Sequence, residues 1–196
     1  MAVVMAMEAE ARPIVERIGA REVEGATPLP VRFFVARAGD CDVVIAVNGR
    51  DPRHGVDSIG TEAAALTTWE VIRRFAPELV ISAGTAGGWQ AKGACIGDVY
   101  VSSDVFVHHD RRIAIAGFDA YGVGRYPSAD TTGLAESLGL KRGVVTTSNS
   151  LDESDDDRRM IAANGGDVKE MEAAAVAYVA ELAGVPMFAV KAITDL

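Results

Sequence analysis

Short runs rich in Val, Ile and Ala alternate with longer stretches of helical period along almost the whole chain, and this alternation constrains the fold more than any other feature. The runs AVVMAM (2–7), VRFFVARA (31–38), CDVVIAVN (41–48), ELVISAG (78–84), GDVYVSSDVFV (97–107), GVVTT (143–147) and MFAVKAI (187–193) are mostly continuous rather than alternating. They read as strands buried on both faces. Helical patterns fall between them at about 58–75, 155–163 and 172–183, the last closed by Gly184 and Pro186. This pattern is that of an α/β fold, and 196 residues suffice for one domain that buries roughly 70% of its unfolded surface.

Charge and composition narrow the function. Lys and Arg number 19 against 28 Asp and Glu, a formal charge of −9, so the surface repels nucleic-acid backbones and anionic lipids. Neither nucleic acid nor membrane is an expected partner. Two separated cysteines, Cys41 and Cys95, and three histidines, His54, His108 and His109, supply no zinc-type ligand set, so no metal is expected. The first apolar run breaks at Glu8, too short for a signal peptide or a membrane span, which predicts a cytoplasmic protein with reduced thiols.

Several conspicuous segments read as structural. In the triplet HHD (108–110) neighbouring side chains of a strand face opposite ways, which does not suit a metal. The run LDESDDDRR (151–159) lacks the Gly and terminal Glu of a calcium loop and reads as a solvated helix start. Trp69 and Trp89 read as packing residues, and AGFDAYGVGRYPSADTTG (116–133) as a long excursion from the sheet.

Four places carry candidate chemistry. LVISAGTAGG (79–88) is a strand ending in Gly84, Thr85, Ala86, Gly87 and Gly88, where a ligand could approach the backbone, although neither dinucleotide nor P-loop glycine spacing is met. In DVKEMEAAAVAYVAELAGVP (167–186), Glu172 stands in the first turn of an apolar helix, where the dipole would keep it ionised and able to accept from two ribose-like hydroxyls. Glu170 reads instead as one half of a capping box with Asp167. Asp195 ends the last strand, where desolvation would suit a general acid, although such an Asp also serves as a turn or cap. Glu8 and Glu10 follow the first strand, ahead of a helix whose first turn tolerates Pro13. Glu10, Glu172 and Asp195 at three sheet-end turns form the kind of carboxylate set that glycosidic cleavage needs.

The pieces AMEAEA (6–11), GVDSIGT (55–61), SAGTAGGWQAKGACIGDVYV (82–101), HDRR (109–112), YGVG (121–124), SNSLD (148–152), KEMEAAAVAYVA (169–180) and KAITD (191–195) together resemble the nucleoside phosphorylase and nucleosidase superfamily, and within it the plant-type 5'-methylthioadenosine nucleosidases. The resemblance implies a single domain over 1–196 with a central mixed β-sheet flanked by helices. It also implies hydrolysis of 5'-methylthioadenosine to adenine and 5-methylthioribose in methionine salvage, with S-adenosylhomocysteine as a further substrate and no cofactor. The water-activating glutamate falls on Glu10 and the purine-protonating aspartate on Asp195. Substrate contacts fall on Thr85, Lys169, Glu170, Met171 and Glu172. Leu151 falls where many bacterial relatives stack a Phe on adenine and the plant-type pattern also has Leu, while Lys191 falls where many bacterial members have Arg and is expected to help order the attacking water.

Three other functions fit the same frame, the first a related nucleosidase acting on S-adenosylhomocysteine or futalosine, which would keep the same three acids and differ in the pocket for the 5' substituent. A phosphorylase would need a cationic phosphate cradle, typically an Arg two residues before the GT pair, where this chain has Ser82. A nucleoside-binding or storage relative would have lost turnover, yet all three acids persist. The resemblance further implies a homodimer through the segment after Val107, with Tyr121 and Tyr126, and a C-terminal helix covering the 5' side of the pocket. Since the sequence stops at Leu196, either it is part of a longer chain or the pocket is more open than in its relatives.

Overall fold

β1 (Ala2–Met5) is buried along its length because it lies between two parallel neighbours, β4 (Cys41–Val47) and β5 (Val80–Gly88). The computed structural model describes residues 1–25 and 27–196. β3 (Arg32–Ala38) joins β4 as an antiparallel hairpin through Gly39 and Asp40, with Gly39 at φ +59° as such a tight turn requires. β2 (Arg21–Val23) adds a short edge to β3.

On the other side β5 runs parallel to β10 (Met187–Asp195), from Val80 opposite Met187 to Gly87 opposite Asp195. β10 pairs antiparallel with β6 (Val99–His108), β6 parallel with β8 (Lys141–Thr147), and β8 parallel with β9 (Gly166–Glu170). β9 then returns antiparallel to β5 at Gly87 and Gly88. The strands β5, β10, β6, β8 and β9 therefore close on themselves, and β1, β4, β3 and β2 extend from the ring as an open wing. The sheet is mixed and flanked by helices, as expected.

α6 (Ala173–Leu182) is buried almost throughout, its alanines allowing close approach to α2 (Thr61–Phe75). α5 (Asp155–Ala163) begins at a capping box in which the Ser154 hydroxyl accepts from the Asp157 N–H while Asp157 reaches back to the Ser154 N–H. The acidic run thus starts a helix, as its composition predicted.

Other expectations are corrected. β9 was not foreseen, because GDVKE is polar at alternate positions and resembles a turn. α1 (Glu8–Arg17) starts early enough to include both glutamates, which places Pro13 inside it rather than in its first turn. The excursion at 116–133 holds α3 (Asp119–Val123), the two-residue β7 (Tyr126–Pro127) on β6, and the start of α4 (Thr132–Leu138). Trp69 is 55% exposed on α2 and is not a core residue. No helix among the described residues is long and apolar enough to cross a membrane.

Candidate active site

Glu10 stands in the first turn of α1, where its Oε2 accepts the Met7 N–H at 3.3 Å. Its Oε1 accepts both the N–H and the hydroxyl of Thr85 on β5, each at 2.7 Å. Three donors thus fix the carboxylate where β1 runs into α1. Glycine spacing on β5 makes room: a Cβ at Gly84 would lie 3.0 Å from Glu10 Oε1, and one at Gly87 would lie 2.7 Å from Asp195 Oδ2. The sequence suggested that these glycines admit a ligand. In the folded chain they admit the two acids.

These residues open on a cavity of about 290 Å³. Glu10, Thr85, Lys169, Glu170, Met171, Glu172 and Asp195, all nominated from sequence, line it. Leu151, placed from sequence where many relatives stack a Phe on adenine, also lines it, as do Ile59 and Ser150, which were not nominated. Leu151 is 73% exposed there. Other hollows are as large or larger, one of about 460 Å³ beside α1 among them, but none gathers these acids.

Glu172 does not behave as its place in the sequence predicted. It is the N-cap of α6, yet its side chain caps nothing, and Oε1 instead accepts the Gly60 N–H at 2.8 Å. Burial, reinforced by the neighbouring Glu170 carboxylate, pushes its carboxyl up to about 7. The helix dipole does not keep it ionised.

The helix N-terminus is satisfied by Glu170, from the end of β9. Its Oε2 accepts the N–H groups of Glu172 at 3.0 Å and Ala173 at 2.8 Å, while Thr147 on β8 donates to its Oε1 and receives the Ala174 N–H at 2.9 Å. The same carboxylate pairs with Lys191 of β10 at 2.8 Å, both side chains being almost wholly buried. Burial alone would raise Glu170, but the Lys191 charge and these donors hold it below its ordinary value. Lys191 is raised, because the attraction of Glu170 and then Glu172 outweighs its own burial. No capping box forms with Asp167, which accepts the Val144 N–H at 2.9 Å and pairs with Lys92. The Lys191 ammonium, expected to order water, is held by Glu170.

Lys169 directs its ammonium to Glu153 at 2.7 Å, leaving its stem beside Gly87. Asp195 is exposed at the end of β10. Three carboxyls on three elements therefore face one cavity in different settings: Glu10 clamped, Glu172 partly buried and raised to about 7, Asp195 exposed.

A sequence profile described as the phosphorylase superfamily matches residues 1–196. The chain belongs to this superfamily. Within the superfamily it is 44% identical over 196 residues to a 5'-methylthioadenosine nucleosidase of Arabidopsis thaliana, covering 98% of this chain and 73% of that protein. It is also 44% identical to an Arabidopsis thaliana 5'-methylthioadenosine/S-adenosylhomocysteine nucleosidase, over 98% of this chain and 77% of the relative. The apo structure of the Arabidopsis 5'-methylthioadenosine nucleosidase superposes with a TM-score of 0.96 at 43% identity, over 100% of this chain and 81% of the other.

Proposed function

We propose that this chain hydrolyses the N-glycosidic bond of 5'-methylthioadenosine, releasing adenine and 5-methylthioribose, and that S-adenosylhomocysteine is a second substrate. The relatives just described carry those names. The single observation behind the mechanism is the convergence of Glu10, Glu172 and Asp195 on one cavity.

In this reading Asp195 donates its proton to purine N7 as the C1'–N9 bond breaks and its electron pair passes into the base, which leaves neutral. Positive charge develops on the ribose. Glu172, in its ionised form, accepts from the ribose hydroxyls and stabilises that charge. Water attacks C1' and gives its proton to Glu10, which Thr85 holds in place. Glu170 and Met171 line the cavity beside them. Proton and nucleophile both come from side chains and water, so the reaction as proposed draws on no metal or organic cofactor.

Hydrolysis is favoured over phosphorolysis by the charges at the site. Among the described residues the one cation lining the cavity is Lys169, and it is neutralised by Glu153. Ser82 is buried in β5. A phosphate ion would meet carboxylates without a free counter-charge. Adenine and 5-methylthioribose identified chromatographically after incubation with 5'-methylthioadenosine test the assignment, and S-adenosylhomocysteine tests its breadth.

We propose a homodimer as well. Ile115, Phe118 and Tyr121, in and just before α3, are each half-exposed or more, and the Arg111 guanidinium lies 5.5 Å from the Tyr121 ring centre. Such a cluster of apolar, aromatic and Arg side chains is typical of interfaces. Tyr126, expected in the same surface, is instead buried within its own subunit. The thiols of Cys41 and Cys95 are free and exposed, which fits a cytoplasmic, reducing environment.

A further inference from the structure

The Glu172 carboxylate depends on a backbone amide that its own helix does not supply. That amide belongs to Gly60, whose φ of +95° suits glycine alone and whose N–H reaches Glu172 Oε1 at 2.8 Å. Gly60 is also the N-cap of α2, and it has no side chain with which to satisfy the first free N–H groups of that helix.

Asn149, in the loop after β8, takes over that task. Its Oδ1 accepts the Thr61 N–H at 2.8 Å, and its Nδ2 donates to the Thr61 hydroxyl at 2.7 Å. Its own N–H is anchored on Asp110 Oδ2 at 2.9 Å, beyond the end of β6. A Cβ at position 60 would come within 2.9 Å of Asn149 Oδ1, so the two loops are in close contact. A continuous chain of hydrogen bonds thus runs from Asp110 through Asn149 and the Gly60–Thr61 turn to Glu172. It links loops that contribute Ile59 and Ser150 to the cavity.

We propose that Asn149 is a positioning residue for ribose recognition: by capping α2 from the neighbouring loop it fixes the Gly60 amide that holds Glu172. The inference rests on the nucleosidase reading, in which Glu172 accepts from the ribose. The charged groups facing Glu172 are Glu170 from β9, Lys191 from β10 and Glu10 from α1. The Lys191 charge and the Gly60 N–H both favour its charged form. Loosening the turn removes that support, so Glu172 keeps its proton to higher pH.

Steady-state kinetics with 5'-methylthioadenosine across pH 5 to 9 test this. For Asn149→Ala, KM at neutral pH should rise about fivefold, the worth of one ordinary hydrogen bond, with a smaller change in kcat. The acidic limb of kcat/KM should move to higher pH. Asn149→Asp, which keeps an acceptor for the Thr61 N–H and can receive the Thr61 hydroxyl proton, should restore most of the affinity. Should the alanine variant not fold, Asn149→Ser, too short to span both groups, is expected to show the same changes. Wild-type KM and an unmoved acidic limb in the folded Ala or Ser variant would overturn the proposal. So would an Asp variant as impaired as Ala. Inactivity of the wild-type chain toward the nucleoside would instead count against the nucleosidase reading itself.

Discussion

Thr85 donates both its backbone N–H and its hydroxyl to one oxygen of Glu10, each at 2.7 Å and across 75 residues of sequence. The carboxylate at the start of α1 is thereby fixed to the end of β5, beside the edge where β10 delivers Asp195. In the proposed mechanism Glu10 is the base for water and Asp195 the acid for the leaving group.

Glu10→Gln and Asp195→Asn should each lower kcat by about 10²-fold or more, because one removes the proton acceptor and the other the proton donor. Thr85→Val, which leaves the N–H bond and deletes the hydroxyl, should cost about fivefold. Circular dichroism confirming the native fold, with kcat measured alongside, checks all three. Wild-type turnover in Asp195→Asn would contradict the leaving-group step.

Glu172 links stability and activity to pH with opposite signs. Its carboxyl is raised from 4.5 to about 7, so between those values the folded chain keeps a proton that the unfolded chain has lost, and stability falls as pH rises through the window. Glu172→Gln escapes that loss and should melt higher at pH 8, by about 3 kcal/mol or some 10 °C, with little change at pH 4. Its affinity for the nucleoside should drop, since the amide cannot accept as a charged group. In the unmodified chain kcat/KM should fall on the acid side of about 7. Thermal melts at the two pH values read the first effect and a pH profile the second.

Lys191 and Glu170 form a buried ion pair at 2.8 Å. Lys191→Met leaves the Glu170 carboxylate enclosed without its counter-charge and should cost about 3–5 kcal/mol, or about 10 °C in Tm. Urea unfolding gives the value. A melting point unchanged within about 2 °C would show that the N–H donors of α6 suffice to hold Glu170.

Strand positions were legible because continuous apolar runs leave few alternatives, and Glu10, Glu172 and Asp195 were legible because each follows such a run or opens an apolar helix. Their partners were not. Gly60 lies 112 residues from Glu172, and no local period announces a contact at that range. Glu170 was misread for the same reason. Its spacing from Asp167 offered a nearby explanation, whereas its partners Thr147 and Lys191 sit on strands brought beside it only when the five-strand ring closes. β9 was hidden by its polar alternate positions, although it carries Lys169 and Glu170 to the cavity.

A dimer should be found by light scattering at micromolar concentration, with Phe118→Asp and Tyr121→Asp shifting it toward the monomer. A monomer mass for the unmodified chain would count against the interface drawn through Ile115, Phe118 and Tyr121.

The central claim, hydrolysis by a carboxylate-clamped water, is tested most directly by incubating the protein with 5'-methylthioadenosine in phosphate-free buffer made with ¹⁸O-labelled water. Adenine should be released at full rate, and ¹⁸O should enter 5-methylthioribose at C1. No adenine without phosphate, followed on its addition by adenine and a ribose 1-phosphate, would show that phosphate rather than water is the nucleophile and would contradict the account.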